Sequence, residues 1–487
     1  MKDIAKNSRI TFKVRDVSID GSGIGTCEEN GMTVFCFGAE KGETVTATVI
    51  KKTSGYMVAK KDDRPASPLC SVYPLCGGCS LLHLSYERTL EIKQNHVRDC
   101  LERIGGLKDL RIDPIIPSPD ISGFRNKAIY RFVASKDGIG CGFFRRNSHD
   151  VVVSETCICE KSLCRVICSA MLEILNSGGY SVYDEKTGKG LLRALMVRVS
   201  LENKAMVCLS VNASAFPEAN DIARKLIDRV PSVASFFINF NTAETNTVFS
   251  GDFKHILGRE TLRDRIGEAE FEIAPESFFQ VNPGATVKLY DKAFDYAVSG
   301  SDGPLTLLDV YCGIGTIGVY FARKNQDKFK SIFGVEYTEA AVKGAVRAAE
   351  ENNISASCRY VSGDAGKVLS EFRKLPADIR ETVESGNVAV VDPPRKGLDE
   401  KIPGVLSSLP LSKIVYVSCN PATLARDLVR FKALGWQATA VTPVDMFPFE
   451  GHVEVVSLLQ RMSNTLKKTI TLDVDMEDYH RIKSEGR

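Results

Sequence analysis

No stretch of the 487-residue sequence approaches the roughly 20 consecutive apolar residues that cross a bilayer. The opening residues, MKDIAKNSRITFKVRD, also lack the apolar core of a secretion signal. A cytoplasmic protein with no membrane partner is therefore expected. Excess charge is missing too: the formal net charge is +2, which neither requires nor excludes a polyanionic partner. Residues 1–150 carry 23 Lys+Arg against 18 Asp+Glu, and the remainder 40 against 43. That mild basic bias is compatible with RNA binding without establishing it. With 44% hydrophobic and 25% charged residues, the chain lacks the composition of a disordered protein. Its length suits roughly three domains of about 150 residues.

Cysteine is what the chain has in quantity. Without a secretion signal, its fifteen cysteines are expected to be reduced, so metal and catalytic roles come before disulfides. Three of them form Cys70-SVYPL-Cys76-GG-Cys79, where Gly77 and Gly78 give the backbone freedom to wrap one metal centre. A fourth thiolate has to come from further away, and Cys157 and Cys159 in SETCICE are the nearest candidates beyond the following helix. Paired CxxC knuckles of zinc ribbons are absent, which favours an iron–sulfur cluster over zinc.

The periodicity predicts three kinds of structure. Over residues 9–60, Phe12 and Val14, then Val45, Ala47 and Val49, alternate with polar residues as in half-buried strands, and Gly21, Gly23 and Gly25 are expected to punctuate a loop. A small β-barrel followed by Lys51, Lys52, Lys60, Lys61 and Arg64 suits an oligonucleotide-binding surface. Helical faces run from Ser85 to Gly105 and from Leu163 to Gly178, with strand-like runs around them, so the middle region is expected to be α+β. Within it, FRNKAIYRF (Phe124–Phe132) interleaves Arg125, Lys127 and Arg131 with aromatics, a weak sign of RNA contact that is equally the pattern of an alternating strand with one solvated face. From Leu305 onward, strands alternate with helices near 305–310, 331–336, 358–362, 388–392 and 413–418, which predicts a parallel sheet. Two more strands follow at about 436–445 and 453–459, joined by a link too short for a parallel crossover. The last strand is therefore expected to run antiparallel.

That topology gathers distant residues on one rim. Cys419 follows the apolar run Ile414–Val417 and precedes Asn420-Pro421, which must end the strand. Open α/β sheets place their sites at such carboxyl ends, although a free Cys is often just a small buried hydrophobe. Glu454 opens the antiparallel strand and so falls on the same edge, as do Asp392 in DPPR and the turn Gly313-x-Gly315-x-x-Gly318. The glycine turn, with Glu336 placed to bind ribose hydroxyls, fits either a nicotinamide dinucleotide or S-adenosylmethionine. Asp364 in SGDA would lie near the adenine end of either cofactor.

Taken together, Cys70-x5-CGGC79, SFFQVNP (Ser277–Pro283), DVYCGIGT (Asp309–Thr316), DPPRKG (Asp392–Gly397), SCNPATLARD (Ser418–Asp427) and HVEVV (His452–Val456) resemble the RNA uracil-5 methyltransferase family. The likeness is to its 23S ribosomal RNA branch, which has an amino-terminal TRAM barrel and a 4Fe–4S cluster, and it extends to about residue 460. The resemblance implies a seven-stranded class I S-adenosylmethionine methyltransferase domain at 271–460. It implies a central α+β domain at 65–270 carrying the cluster and a TRAM-like barrel at 1–64, and it leaves a tail at 461–487 without a role. Carried over by motif, Cys419 is the nucleophile and Glu454 the base. Gln280, Tyr311, Glu336 and Asp392 bind S-adenosylmethionine, and Cys70, Cys76, Cys79 and Cys157 hold the cluster. Phe278 or Phe279 would stack on the target base. The expected partner is 23S rRNA, bound by a monomer. Leu82 stands where the family usually has Gln, and Cys159 competes with Cys157 for the fourth cluster position. A transfer RNA substrate, a non-catalytic iron–sulfur RNA-binding protein and a nicotinamide oxidoreductase are the rival readings.

Overall fold

The computed structural model describes residues 4–244 and 248–462; the segment after 462 that was left without a role lies outside them. At the amino end, strands Arg9–Val17, Ser22–Cys27, Thr33–Phe37, Thr44–Lys52 and Tyr56–Lys61 close into a barrel. Phe12, Val14, Val45, Ala47 and Val49 turn inward, as their alternation predicts. Gly23 and Gly25, however, lie inside the second strand rather than in a loop. A Cβ on Gly25 would come 2.3 Å from the Phe12 ring, and one on Gly23 would come 2.5 Å from the Ala39 carbonyl oxygen. These glycines let the small barrel close tightly; of the three, only Gly21 turns left-handed, with φ 83°.

Helix Tyr86–Asp99 follows, capped by the Ser85 hydroxyl, which accepts from the Arg88 N–H at 3.3 Å. Its last stretch, Cys100–Ile104, widens to a π turn before Gly105. The second sheet has seven strands in the order Phe253–Gly258, Val233–Phe240, Ala205–Val211, Leu192–Val199, Lys127–Ser135, Gly138–Phe144 and Val151–Val153. Its one parallel pair, Ala205–Val211 with Val233–Phe240, is joined by helix Ala219–Arg229, as a parallel crossover requires. That helix and Ser162–Ser177 bury one face of the sheet.

The third sheet also has seven strands, ordered Cys358–Ser362, Phe329–Glu336, Leu305–Val310, Val388–Val391, Lys413–Ser418, Glu454–Arg461 and Trp436–Val444. The first five are mutually parallel. Glu454–Arg461 runs antiparallel to both its neighbours. Most of these strands read as continuous apolar runs because helices cover both faces, giving two separate cores. Among the described residues, no helix is long and apolar enough to cross a membrane.

Candidate active site

Strand Lys413–Ser418 stops where Pro421 becomes the first residue of helix Pro421–Ala433. Asn420 caps that helix, its Oδ1 accepting from the Ala422 N–H at 3.1 Å. Cys419 sits half-buried between the strand and the capped end. Ser418 pairs with Val455 across the antiparallel ladder, so the next position along brings Cys419 opposite Glu454, which is buried. On the other side Val391 pairs with Tyr416, and Asp392, one step further, donates its backbone N–H to the Val310 carbonyl at 3.3 Å. The loop bearing Arg395 is laced to the Cys419 loop: the Arg395 carbonyl accepts from Asn420 Nδ2 at 3.2 Å. Beneath both loops the buried Asp427 carboxylate accepts from the Leu398 N–H (2.8 Å) and the Tyr416 hydroxyl (2.9 Å). A Cβ on Gly397, at φ 76°, would come 2.6 Å from that carboxylate.

Burial and mutual repulsion dominate the electrostatics. Desolvation pushes the Glu454 carboxyl up to about 8, the Asp392 charge pushing the same way and Arg395 opposing it. Desolvation, assisted by Asp309, likewise lifts Asp392 to about 7. Desolvation, then Glu454 and Asp392, raise the Cys419 thiol to about 11, with Arg395 acting in the opposite direction. Arg395 is the cation that favours thiolate here, and the positive end of helix Pro421–Ala433 lies beside it.

The glycine turn occupies the neighbouring stretch of rim. The Gly313 N–H donates to Glu336 Oε2 and the Thr338 N–H to Glu336 Oε1, each at 3.1 Å, so that carboxylate is fixed at its strand end. The Gly318 N–H donates to Asp309 Oδ2 at 3.0 Å, while Asp309 Oδ1 is buried with no hydrogen-bond partner. Tyr311 ends its strand in the left-handed region at φ 68°, a conformation that strains a residue with a Cβ and is often found at functional sites. Gln280 is buried on the loop before helix Pro283–Val298, its carbonyl accepting from Asn126 Nδ2 at 3.2 Å. Asp364 caps helix Ala365–Ser370 through the Lys367 N–H, at the end of the outermost strand. Asp309, Asp427 and Arg395 were given no site role from the sequence. Their signal lay in the motifs already singled out, DVYCGIGT, SCNPATLARD and DPPRKG.

Two expectations change. Phe279 is buried against Phe271, with ring centroids 5.7 Å apart, and cannot stack on a base; Phe278, 73% exposed, is free to. The cations of Phe124–Phe132 are largely committed inside the protein. Arg125 is ion-paired to Glu450 at 2.6 Å, and the buried Arg131 lies 4.8 Å over Phe144. The run alternates because the strand has two faces, not because one face is offered to RNA.

The remaining predicted residues form a second group of thiols. The Cys79 and Cys159 sulfurs are 3.6 Å apart. Cys157 is raised chiefly by its contact with the Cys159 thiol, and Cys76 by burial, then by Cys157 and Cys70. Cys70 and Cys79 pack at the edge of one small apolar cluster with Ile158. Five thiols from two segments are thus neighbours. Among the described residues, no group of three or more His, Cys, Asp or Glu is disposed to hold a single metal ion.

A thiol, three carboxyls and a glycine turn on the carboxyl rim of a helix-covered sheet define a group-transfer enzyme with a nucleotide-type cofactor edge. Comparison with known proteins narrows the class. The model of the tRNA (uracil-5-)-methyltransferase family matches residues 85–462, and the chain belongs to that family. It is 35% identical over 471 residues to an uncharacterized RNA methyltransferase of Caldanaerobacter subterraneus subsp. tengcongensis, covering 95% of this chain and 100% of that one. A similar uncharacterized RNA methyltransferase of Listeria monocytogenes is 36% identical over 475 residues, covering 94% and 98%. Among solved structures, the Pyrococcus abyssi tRNA (uracil-54, C5)-methyltransferase in complex with S-adenosyl-L-homocysteine superposes with a TM-score of 0.71. It is 26% identical and the match covers 92% of this chain and 100% of that one. The protein is an S-adenosylmethionine-dependent RNA methyltransferase.

Proposed function

We propose that the enzyme methylates carbon 5 of a uridine in 23S rRNA through a covalent Cys419–uracil intermediate. The observation that carries the reading is the register that sets Cys419 opposite Glu454, beside Asp392 and Arg395. Carbon 5 of uracil is too weak a nucleophile to react unaided. The Cys419 thiolate adds to carbon 6, and the electron pair moves onto carbon 5 and the carbonyl oxygen as an enolate. Gln280, Tyr311, Glu336 and Asp392 would hold S-adenosylmethionine on the sheet rim, and the cofactor would supply the methyl group, its bond to sulfur breaking as the bond to carbon 5 forms. Glu454 as carboxylate then takes the carbon 5 proton, carbon 5=carbon 6 reforms, and the bond to the Cys419 sulfur breaks. Arg395 and the helix end at Pro421 favour thiolate in the first step. Exposed Phe278 stacks on the unstacked base.

Cys70, Cys76, Cys79 and Cys157 would hold a 4Fe–4S cluster, with a structural or RNA-positioning part and no step in the chemistry. The convergence of five thiols supports it. Cys159, 3.6 Å from Cys79, competes with Cys157 for the fourth position. The barrel is read as a TRAM module that binds RNA. The barrel and cysteine loop point to ribosomal RNA through the family resemblance, but archaeal-type tRNA enzymes can share such features, and the Pyrococcus abyssi neighbour, a tRNA enzyme matched over 92% of this chain, supports transfer RNA as the second reading. A mass-spectrometric map of rRNA and tRNA from cells lacking the protein decides: a 5-methyluridine missing only from tRNA overturns the first reading.

A further inference from the structure

Glu454 follows the link between the last two strands, and that link is gripped by the thiol-bearing half of the molecule as well as by its own domain, where Met446 is buried in the core beside the sheet and its carbonyl accepts from Asn282 Nδ2 at 3.0 Å. At its start the buried Lys93 donates to Asp445 Oδ1 at 2.5 Å and to the Phe447 carbonyl at 2.7 Å. Tyr86 donates to the other Asp445 oxygen at 2.7 Å. In its middle Phe449 is buried at φ 62°, a left-handed conformation that a Phe keeps only when its surroundings impose it. The imposing contacts are visible. The Phe449 carbonyl accepts from the Ser80 and Leu81 N–H groups at 3.0 and 2.9 Å, the two residues directly after Cys79, and its ring packs with Tyr73 and Leu82 of the same loop. One residue on, Glu450 accepts from Arg125 at 2.6 Å. His452, two residues before Glu454, stands 3.4 Å from the Arg395 guanidinium.

Resting on the function proposed above, we infer that the cysteine loop and Arg125 position the base: Phe449 and Glu450 are the points at which the cysteine-bearing region sets where Glu454 stands relative to Cys419. Arg125 and Phe449 are positioning residues. They act through Glu450 and the link, on the second half of the reaction, in which Glu454 removes the carbon 5 proton. A carboxylate displaced by about 1 Å loses on the order of 100-fold in rate, whereas thiol addition and methyl transfer do not use it.

The test separates those halves. Bulk RNA from cells lacking the enzyme, tritiated at uracil carbon 5, is incubated with methyl-labelled S-adenosylmethionine and full-length enzyme in excess over target sites, so that each site reacts once; methyl uptake, tritium release and denaturant-stable protein–RNA adduct are followed together. Arg125→Gln and Phe449→Ala are expected to take up methyl at nearly the wild-type rate while tritium release slows about 10- to 100-fold, so that methylated adduct accumulates. Arg125→Lys restores part of the release. If Phe449→Ala does not fold, Arg125→Gln and Glu450→Gln carry the test. Equal slowing of both signals, or no slowing of release in a folded Arg125→Gln, overturns the proposal. A wild-type enzyme that forms no adduct and releases no tritium overturns the functional reading instead, and the positioning proposal with it.

Discussion

Cys419 and the thiols of Cys70–Cys79 and Cys157–Cys159 are the same functional group in two opposite settings. Cys419 stands alone among carboxyls, with Arg395 and a helix end to favour its anion and with the Glu454 carboxyl across the ladder. The second group consists of thiols raised by burial and by one another. An isolated thiol beside a cation and a carboxyl suits the covalent role proposed for Cys419. Crowded thiols gain from sharing a cation of higher charge, because each thiolate otherwise repels the next. The settings also differ in construction: the first is made by strand ends of one sheet, the second by loops 78 residues apart.

The most severe way to break the contrast is Cys419→Ala, which should remove all adduct and lower turnover by about 10⁴-fold or more, measured by methyl incorporation into unmethylated RNA. Glu454→Gln should stall after methyl transfer, lowering turnover by about 10²–10⁴-fold and trapping a covalent species on a denaturing gel. Cys76→Ala is the matching change in the other group. The brown absorbance of anaerobically purified enzyme should vanish, while adduct formation by the remaining folded protein falls less than tenfold, roughly within the range of an indirect effect.

Stability against pH sharpens the comparison further. The raised Glu454 carboxyl means that the folded state holds a proton which the unfolded chain has lost. Its contribution to stability is complete below the unfolded value near 4.3 and is lost as pH rises to about 8. Ligand-free enzyme should therefore melt at falling temperature between pH 5 and 8, roughly the interval between those two values, with Asp392 and Asp309, both raised to about 7, adding to the slope; Glu454→Gln should lessen the slope without abolishing it, and an unchanged slope would show that Glu454 does not contribute. The smallest effect is expected from Phe278→Ala. It should weaken RNA affinity by about 1–3 kcal/mol with an unchanged melting temperature, because the ring is 73% exposed.

Much of the rim was legible beforehand. Ile414–Val417 could only be a buried strand, Pro421 had to end it, and the link before Glu454 was too short for a crossover, so Glu454 and Cys419 had to share an edge. These are local rules of backbone geometry and chain length, and they survive translation into three dimensions. Failures came where packing decides. Gly23 and Gly25 read as loop residues because their strand role depends on Phe12 and Ala39 across the barrel wall. Phe278 and Phe279 are indistinguishable by type, yet one is buried on Phe271 and the other is open. The alternating cations of Phe124–Phe132 looked available until Glu450, more than 300 residues later, paired with Arg125.

By itself, then, the sequence determined where the strands of the last sheet lie along the chain, the antiparallel sense of its final strand, the residues on its carboxyl rim and the identity of the thiol-rich segments, because apolar periodicity, proline and link length act over a few residues. Tertiary structure alone decided which cation faces Cys419, how far burial raises Glu454 and Asp392, and that the loop after Cys79 grips Phe449. Charge interactions and desolvation depend on distance through space, and that distance is set only when separate segments pack together.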